Sequence, residues 1–238
     1  MIQIIRRVRK GDSHMKDLEK VIEEAKNLDS TQKNRLLKDA FRTKNRIFQD
    51  FSIALNAGRD SVDNELFFLA VENGCVEIVQ SQIDAGIDVR IKDNEAIFKA
   101  SSYNQLEVLK LLIKHGADVN ATSNYGECPL YKACDMGHVE IAKCLLGAGA
   151  DVSVHTKALY RATFYKHSDI VKLLLDNGAT ATTETIDLAI LKNNSQIVKL
   201  LFEAGADPTV NFYTNLAQAR KNNNRLIENL LLSSSEKN

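Results

Sequence analysis

Apolar residues recur along the chain in five copies of one pattern, and each copy predicts two short helices. A copy is anchored by an alanine and closes on a glycine 16 residues later. An apolar residue lies three positions before each alanine, and an apolar pair lies eight and nine positions after it. These spacings place side chains on one face of a helix. The alanines are Ala70, Ala100, Ala133, Ala162 and Ala189, and the closing glycines are Gly86, Gly116, Gly149, Gly178 and Gly205.

The boundary between the two predicted helices falls at Gly74, Asn104, Gly137, Lys166 and Asn193. Most of these are residue types that accept a left-handed turn. The closing glycine is expected to cap the second helix, because only Gly adopts positive φ there without a steric penalty on a Cβ atom. One helix pair cannot bury its apolar face alone, so the copies are predicted to stack on one another.

Segments such as "GECPLYKACDMGHVEIAKCLLGAGADV" and "HSDIVKLLLDNGAT" resemble the ankyrin repeat. Five units span residues 63–209, and a degenerate sixth in residues 210–238 keeps Ala219 and Ile227 but has Ser235 where Gly is expected. The resemblance implies an all-α, ankyrin-type α-solenoid of stacked helix-turn-helix repeats. We expect the sixth unit to be a C-terminal capping repeat that ends in a frayed tail.

The connection between units, which forms a projecting hairpin finger in ankyrin proteins, varies in length. The closing glycine is followed by the next anchoring alanine after 14, 17, 13, 11 and 14 residues in turn. The resemblance therefore implies mostly shortened fingers, with one of full length over residues 120–129 and Tyr125 near its tip. The family's T-P-L-H motif is reduced to Cys128-Pro129-Leu130-Tyr131 in this unit.

Residues 1–62 are predicted to form a helical N-terminal cap that includes a degenerate repeat ending near Gly58. Apolar residues between positions 15 and 28 fall on one helical face. Asp29 and Gln32 then have the spacing of a capping box, which begins a second helix. The alternative is that residues 1–58 are a separate functional or targeting segment, which the repeats only position.

Composition and charge exclude several classes of function. With 238 residues, 44% of them hydrophobic, the chain can bury a substantial core. Its formal net charge is zero, which disfavours sequence-independent binding to nucleic acid. No apolar run is long enough for a membrane span, and the N-terminus lacks the apolar region of a signal peptide. We therefore expect no membrane association, a cytoplasmic location and reduced thiols.

Cys128, Cys134, His138 and Cys144 lie within 17 residues and could form a zinc site by residue type. Cys134 and His138 are also spaced as a thiolate pair on one helix would be. The repeat offers a structural interpretation that we prefer, in which the cysteines take threonine, alanine and leucine positions of the core. With no P-loop, G-x-S-x-G or H-E-x-x-H motif, we predict no catalytic residue, metal or cofactor.

Three positions of each first helix are predicted to face outward, namely one before, two after and three after the anchoring alanine. In ankyrin proteins these outward positions line the concave surface of the stack. The resemblance implies that a partner binds this concave face and the finger tips. Aromatic, Met and Arg side chains are enriched at interfaces, and several occur here. The alternative is that they pack over neighbouring repeats. The predicted partner-binding residues are Lys99, Tyr103, Tyr125, Lys132, Asp135, Met136, Arg161, Phe164, Tyr165 and Leu191.

Together these features predict a monomeric, non-enzymatic protein-protein interaction module or adaptor. The partner is expected to be another protein, with an acidic segment that carries apolar anchors. The irregular repeat lengths are similar to those of ankyrin proteins from large DNA viruses and from intracellular bacteria. That analogy implies a host-directed effector acting in the host cytoplasm.

Overall fold

The computed structural model describes residues 64–152 and 156–235 and, nearer the N-terminus, residues 27–29, 31–33, 35 and 38. The chain divides into two compact units, residues 1–118 and 119–238, and each is considered by itself. The residues described in these ranges form α-helices and turns, and none is in a β-strand.

Residues 64–118, the continuously described part of unit 1, contain two helix pairs. They are α1 (Asn64–Asn73) with α2 (Val76–Asp84), and α3 (Ile91–Ser102) with α4 (Leu106–Lys114). The helices of each pair pack together, and α1 also packs on α3 and α2 on α4. The two predicted repeats of this unit are therefore stacked side by side.

The described residues of unit 2, 119–152 and 156–235, form four more helix pairs. They are α5 (Pro129–Met136) with α6 (Val139–Gly147), α7 (Thr156–Phe164) with α8 (Ser168–Asp176), α9 (Thr183–Leu191) with α10 (Ser195–Glu203), and α11 (Phe212–Lys221) with α12 (Arg225–Ser235). The first helices α5, α7, α9 and α11 pack in one row, and the second helices form another. This arrangement confirms the all-α, ankyrin-type class.

The core follows the repeated sequence pattern. All five anchoring alanines are completely buried, as is each apolar residue at the second position of the pair that follows them. Short side chains at the alanine positions let the two helices of a repeat approach closely, and the larger side chains fill the space between repeats. Gly74, Asn104, Gly137, Lys166 and Asn193 all have positive φ, as do the closing glycines, so the predicted helix boundaries are confirmed.

The first turn of α3 contains a kink that the sequence pattern does not predict. Lys92, Asp93 and Asn94 are consecutive left-handed residues with φ of 51°, 55° and 63°. The Asn94 side-chain oxygen accepts a hydrogen bond of 3.1 Å from the backbone N–H of Asp118. This bond links the start of α3 to the segment that follows α4 in the same unit.

Near the N-terminus, the predicted capping box is present. The Asp29 N–H donates to Gln32 Oε1 at 3.3 Å, and the Gln32 N–H donates to Asp29 Oδ1 at 2.8 Å. Residues 31–33 are helical. Of the apolar helix face predicted over residues 15–28, positions 27 and 28 are a turn and a bend, and the rest lies outside the described residues, as does the degenerate repeat ending near Gly58.

Thr163 offers a simple route to a more stable chain. Its side chain is completely buried, and its hydroxyl has no hydrogen-bond partner among the described residues. Because burying an unpaired hydroxyl is costly, we expect Thr163→Val to raise the free energy of unfolding by about 1–2 kcal/mol. Urea denaturation measures this change.

Ser101 occupies the same repeat position as Thr163 and provides the control. Its hydroxyl donates to the backbone oxygen of Ile97 at 2.7 Å, so Ser101→Ala removes a satisfied group and should not stabilise the chain. An unchanged or lower stability of Thr163→Val would contradict the prediction.

Candidate functional site

The first helices of unit 2 expose a row of large side chains, which we call the helix-one face. It consists of the positions one before, two after and three after the anchoring alanines of α5, α7, α9 and α11. Met136, Tyr165 and Leu191 are 53%, 45% and 62% exposed. Because the first helices pack in one row, equivalent positions of successive repeats are neighbours on this face.

Arg161 is the centre of a side-chain cluster on this face. Its Nε forms an ion pair with Asp135 Oδ1 of the preceding repeat, and its Nη2 donates to the Tyr165 hydroxyl at 3.1 Å. The hydrogen bond to Asp135 is the main cause of a raised pKa of the guanidinium. Arg161 is therefore held in place by both its own repeat and the previous one.

Aromatic rings surround the Arg161 guanidinium. Its central carbon lies 4.9 Å from the ring centroid of Tyr165, 5.7 Å from that of Tyr131 and 5.8 Å from that of Phe164. These distances are within the range of cation–π attraction. The rings of Phe164 and Tyr165 also meet edge to face, with centroids 5.0 Å apart.

A second cation contacts the same aromatic cluster. Lys192 Nζ lies 3.6 Å from the centroid of the Phe164 ring. Tyr165 in turn stacks on His167, with ring centroids 6.0 Å apart and planes 25° apart. The face thus combines half-buried cations with aromatic surface, and Lys192 is a member that the predicted partner-binding set omits.

The cations predicted to attract an acidic partner are paired within the chain. Lys132 Nζ lies 2.6 Å from Glu127 Oε2 in unit 2, and Arg161 is paired with Asp135. In unit 1, Lys99 Nζ lies 2.5 Å from Glu72 Oε1 and 3.1 Å from Glu95 Oε1. Burial by itself would lower the pKa of Lys99, but the hydrogen bonds to Glu72 and Glu95 outweigh it, and the pKa is raised.

Tyr125 and Tyr103 lie at turns rather than in the Arg161 cluster. Tyr125 is 84% exposed in the connection before α5, where the Gly126 N–H donates to the Ser123 carbonyl at 2.8 Å. Tyr103, in unit 1, is 54% exposed at the C-terminal end of α3. Both aromatic rings are accessible to a partner.

The cysteines of unit 2 have structural positions. Cys128 is the N-cap of α5, and its sulfur accepts a hydrogen bond of 3.3 Å from the Tyr131 N–H, as the threonine of the repeat motif would. Burial raises the pKa of both the Cys128 and Cys134 thiols. A thiol with a raised pKa is a poor nucleophile at neutral pH.

Metal-binding clusters and membrane spans are both absent from the described ranges. No group of three or more His, Cys, Asp and Glu side chains there is arranged to hold a metal ion. No helix in the same part of the chain is long and apolar enough to cross a membrane.

The sequence matches a family model for ankyrin repeats, in three copies, over residues 67–156. Residues 67–156 are therefore ankyrin repeats. The ankyrin repeat domain of human ASB11 has a similar structure, with a TM-score of 0.61 at 22% identity, covering 71% of this chain and 82% of that one. This similarity agrees with the paired helices of both units.

Two curated ankyrin proteins match shorter segments. An ankyrin repeat and KH domain-containing protein of Caenorhabditis briggsae is 38% identical over 58 residues, which are 24% of this chain and 2% of that protein. An ankyrin repeat-containing protein of Schizosaccharomyces pombe is 32% identical over 67 residues, 27% of this chain and 32% of that protein. The matched segments thus span less than a third of either relative.

Proposed function

We propose that this ankyrin-repeat chain is a non-enzymatic protein-binding module or adaptor, and that its partner binds the helix-one face of unit 2. Ankyrin repeats are generally protein-protein interaction modules, and the chain carries them. The proposed partner segment has apolar anchors and an acidic residue. The module needs no chemistry of its own, since binding is its function.

The distribution of exposed apolar residues carries the proposal. Among the described residues of unit 2 before its last helix pair, the exposed large hydrophobic side chains lie in the first connection or on the first helices and the turns that end them. They are Tyr125, Met136, Tyr160, Tyr165 and Leu191, with Val210 in the turn that leads into the last pair. Aromatic and Met side chains grouped on one face are typical of protein interfaces.

The second helices α6, α8 and α10 present a different surface. Their lysines pair with acidic residues of the same helix, as Lys143 does with Glu140 at 2.7 Å and Lys172 with Asp176 at 2.9 Å. Such pairs, at i+3 and i+4 spacing, are typical of a solvated helix surface. The contrast favours the first helices as the binding side.

The experiment replaces three apolar residues of the helix-one face together, as Met136→Ser, Tyr165→Ser and Leu191→Ser. We expect capture of the specific partner from native extract, measured by quantitative mass spectrometry, to fall at least tenfold. The physical reason is that exposed aromatic and Met anchors contribute a large part of binding free energy. Circular dichroism should show unchanged helix content.

A matched control replaces three exposed apolar residues of the last helix pair and the turn before it. These substitutions are Val210→Ser, Tyr213→Ser and Leu226→Ser, at side chains that are 39%, 85% and 58% exposed. Partner capture should survive them. Equal capture by the wild type and the face variant would contradict the proposal.

The alternative prediction is that residues 1–58 form a functional or targeting segment, which the repeats only position. Deleting those residues separates the two hypotheses, because a binder that uses unit 2 retains its partner. Loss of capture by a deletion variant whose melting temperature is unchanged would favour the alternative.

A further inference from the structure

We propose that Lys192 is the residue of the helix-one face that selects an acidic partner. In this inference, which rests on the proposed function, Lys192 receives the carboxylate of an Asp or Glu in an extended segment. An apolar residue of the same segment lies over Met136 and Tyr165. The three cations that the sequence pattern favours, Lys99, Lys132 and Arg161, do not have this role.

Intramolecular pairing removes Lys132 and Arg161, the cations of unit 2 that the sequence pattern favours, from consideration. A partner carboxylate at Lys132 or Arg161 would have to compete with Glu127 or Asp135, which already neutralise them. Lys192 forms no ion pair with any residue in the described part of the chain, and its ammonium group lies against the face of Phe164. Charge complementarity therefore points to Lys192.

Asp187, an acidic side chain on α9, is engaged elsewhere. Its Oδ1 accepts a hydrogen bond of 2.9 Å from the Asn215 side-chain amide, and its Oδ2 accepts one of 2.8 Å from that of Asn211. Both oxygens thus point to α11 and the turn before it. Asp187 is therefore not an ion-pair partner of Lys192.

The Lys192 ammonium is positioned before a partner arrives. The residue is the C-cap of α9, and its backbone N–H donates to the Leu188 carbonyl at 2.8 Å. The Phe164 ring then holds Nζ at 3.6 Å from its centroid. A cation fixed in this way loses less conformational entropy on forming an ion pair than a free lysine does.

The cations without an ion pair lie at one end of the face, which gives the partner a direction. Ion pairs neutralise Lys132, Asp135 and Arg161 on α5 and α7, whereas Lys192 at the end of α9 and the exposed Lys221 on α11 form none within the described residues. The acidic residue of the segment should therefore lie over α9 and α11. Its apolar residue should lie over α5 and α7.

Selection from a phage library of random dodecapeptides on the full chain tests this inference. Wild-type selections should enrich Asp or Glu at a fixed spacing from an aromatic or aliphatic residue. Lys192→Glu should raise the Kd of a selected peptide about tenfold, and by less at high salt. A new selection on this variant should enrich Lys or Arg in place of the acidic residue. Lys199→Glu, a charge reversal at an exposed residue of α10, should change neither result.

The possible outcomes separate this inference from the proposed function. The inference is wrong if the selected peptides depend on Met136 and Tyr165 but show no preference for acidic residues. It is also wrong if Lys192→Glu leaves their affinity unchanged. In both cases the proposed function still stands. The proposed function is wrong if the selected peptides bind the wild type and the triple variant, with Met136, Tyr165 and Leu191 replaced by Ser, with equal affinity. A selection that enriches nothing overturns both.

Discussion

Replacing Arg220 with Ile and Glu228 with Val should make the chain self-associate. The two residues stand one and nine positions after the alanine of the sixth repeat. In α5–α10 these positions are occupied by side chains that are completely buried, namely Cys134, Thr163 and Ile190, and Ala142, Val171 and Val198. In the sixth repeat they are charged and form an ion pair of 2.7 Å.

The physical reason is that the outer face of a repeat is apolar when another repeat covers it. Arg220 and Glu228 have side chains that are 59% and 26% exposed, so this face meets solvent and a charged pair keeps it soluble. The double substitution adds apolar surface to a repeat in which Leu226 is already 58% exposed. Such a surface favours contact with a second copy.

Sedimentation velocity at increasing concentration measures the effect. We expect the double variant to shift to larger species at concentrations where the wild type does not. The control is Lys172→Ile with Asp176→Val, an ion pair on α8 whose side chains are 62% and 58% exposed. If the control associates as strongly as the Arg220 and Glu228 variant, the capping interpretation of the sixth repeat is wrong.

Gly137→Ala should destabilise the chain more than Gly178→Ala. Both glycines have positive φ, of 79° and 90°, so each Ala bears a similar backbone cost of about 1 kcal/mol. An added Cβ at Gly137 would lie 2.7 Å from His167 Cε1, whereas one at Gly178 would have no neighbour within 4 Å. We therefore expect a total cost of about 2–3 kcal/mol at Gly137.

Urea denaturation of both variants, repeated with His167→Ala, checks this prediction. Since the added cost at Gly137 comes from the imidazole ring, it should disappear in the double variant, and a cost that persists would contradict the steric explanation. His167 stacks on Tyr165, so Gly137→Ala should also weaken partner capture. Gly178→Ala should leave capture unchanged.

Sequence periodicity predicted the helices because the physical constraints on them are local. A helix face must be apolar to be buried, and a left-handed boundary needs Gly, Asn or another tolerant residue. Lys166, with φ of 64°, shows that the repeat pattern locates such a boundary even where the residue type does not favour it. The capping box at Asp29 and Gln32 is equally local.

The candidate site was only partly predictable. Most positions facing outward follow from helix geometry, and Met136, Tyr165 and Leu191 are exposed as expected, but Leu188, one position before the alanine of α9, is buried. The charge state of the face does not follow, because the Arg161–Asp135 and Lys99–Glu72 pairs join residues 26 and 27 positions apart. Sequence spacing places these cations on the outer face, but it does not reveal that each already has an acidic partner within the chain.

The sequence by itself therefore determined the repeat, its helix boundaries, its buried positions and which helix face is exposed. Each of these depends on spacing within one repeat. Only the tertiary structure decided which cations are neutralised and that Lys192 lies over Phe164. Ion pairs and ring contacts between repeats depend on distances of a few ångströms, which side-chain packing sets and the sequence period does not specify.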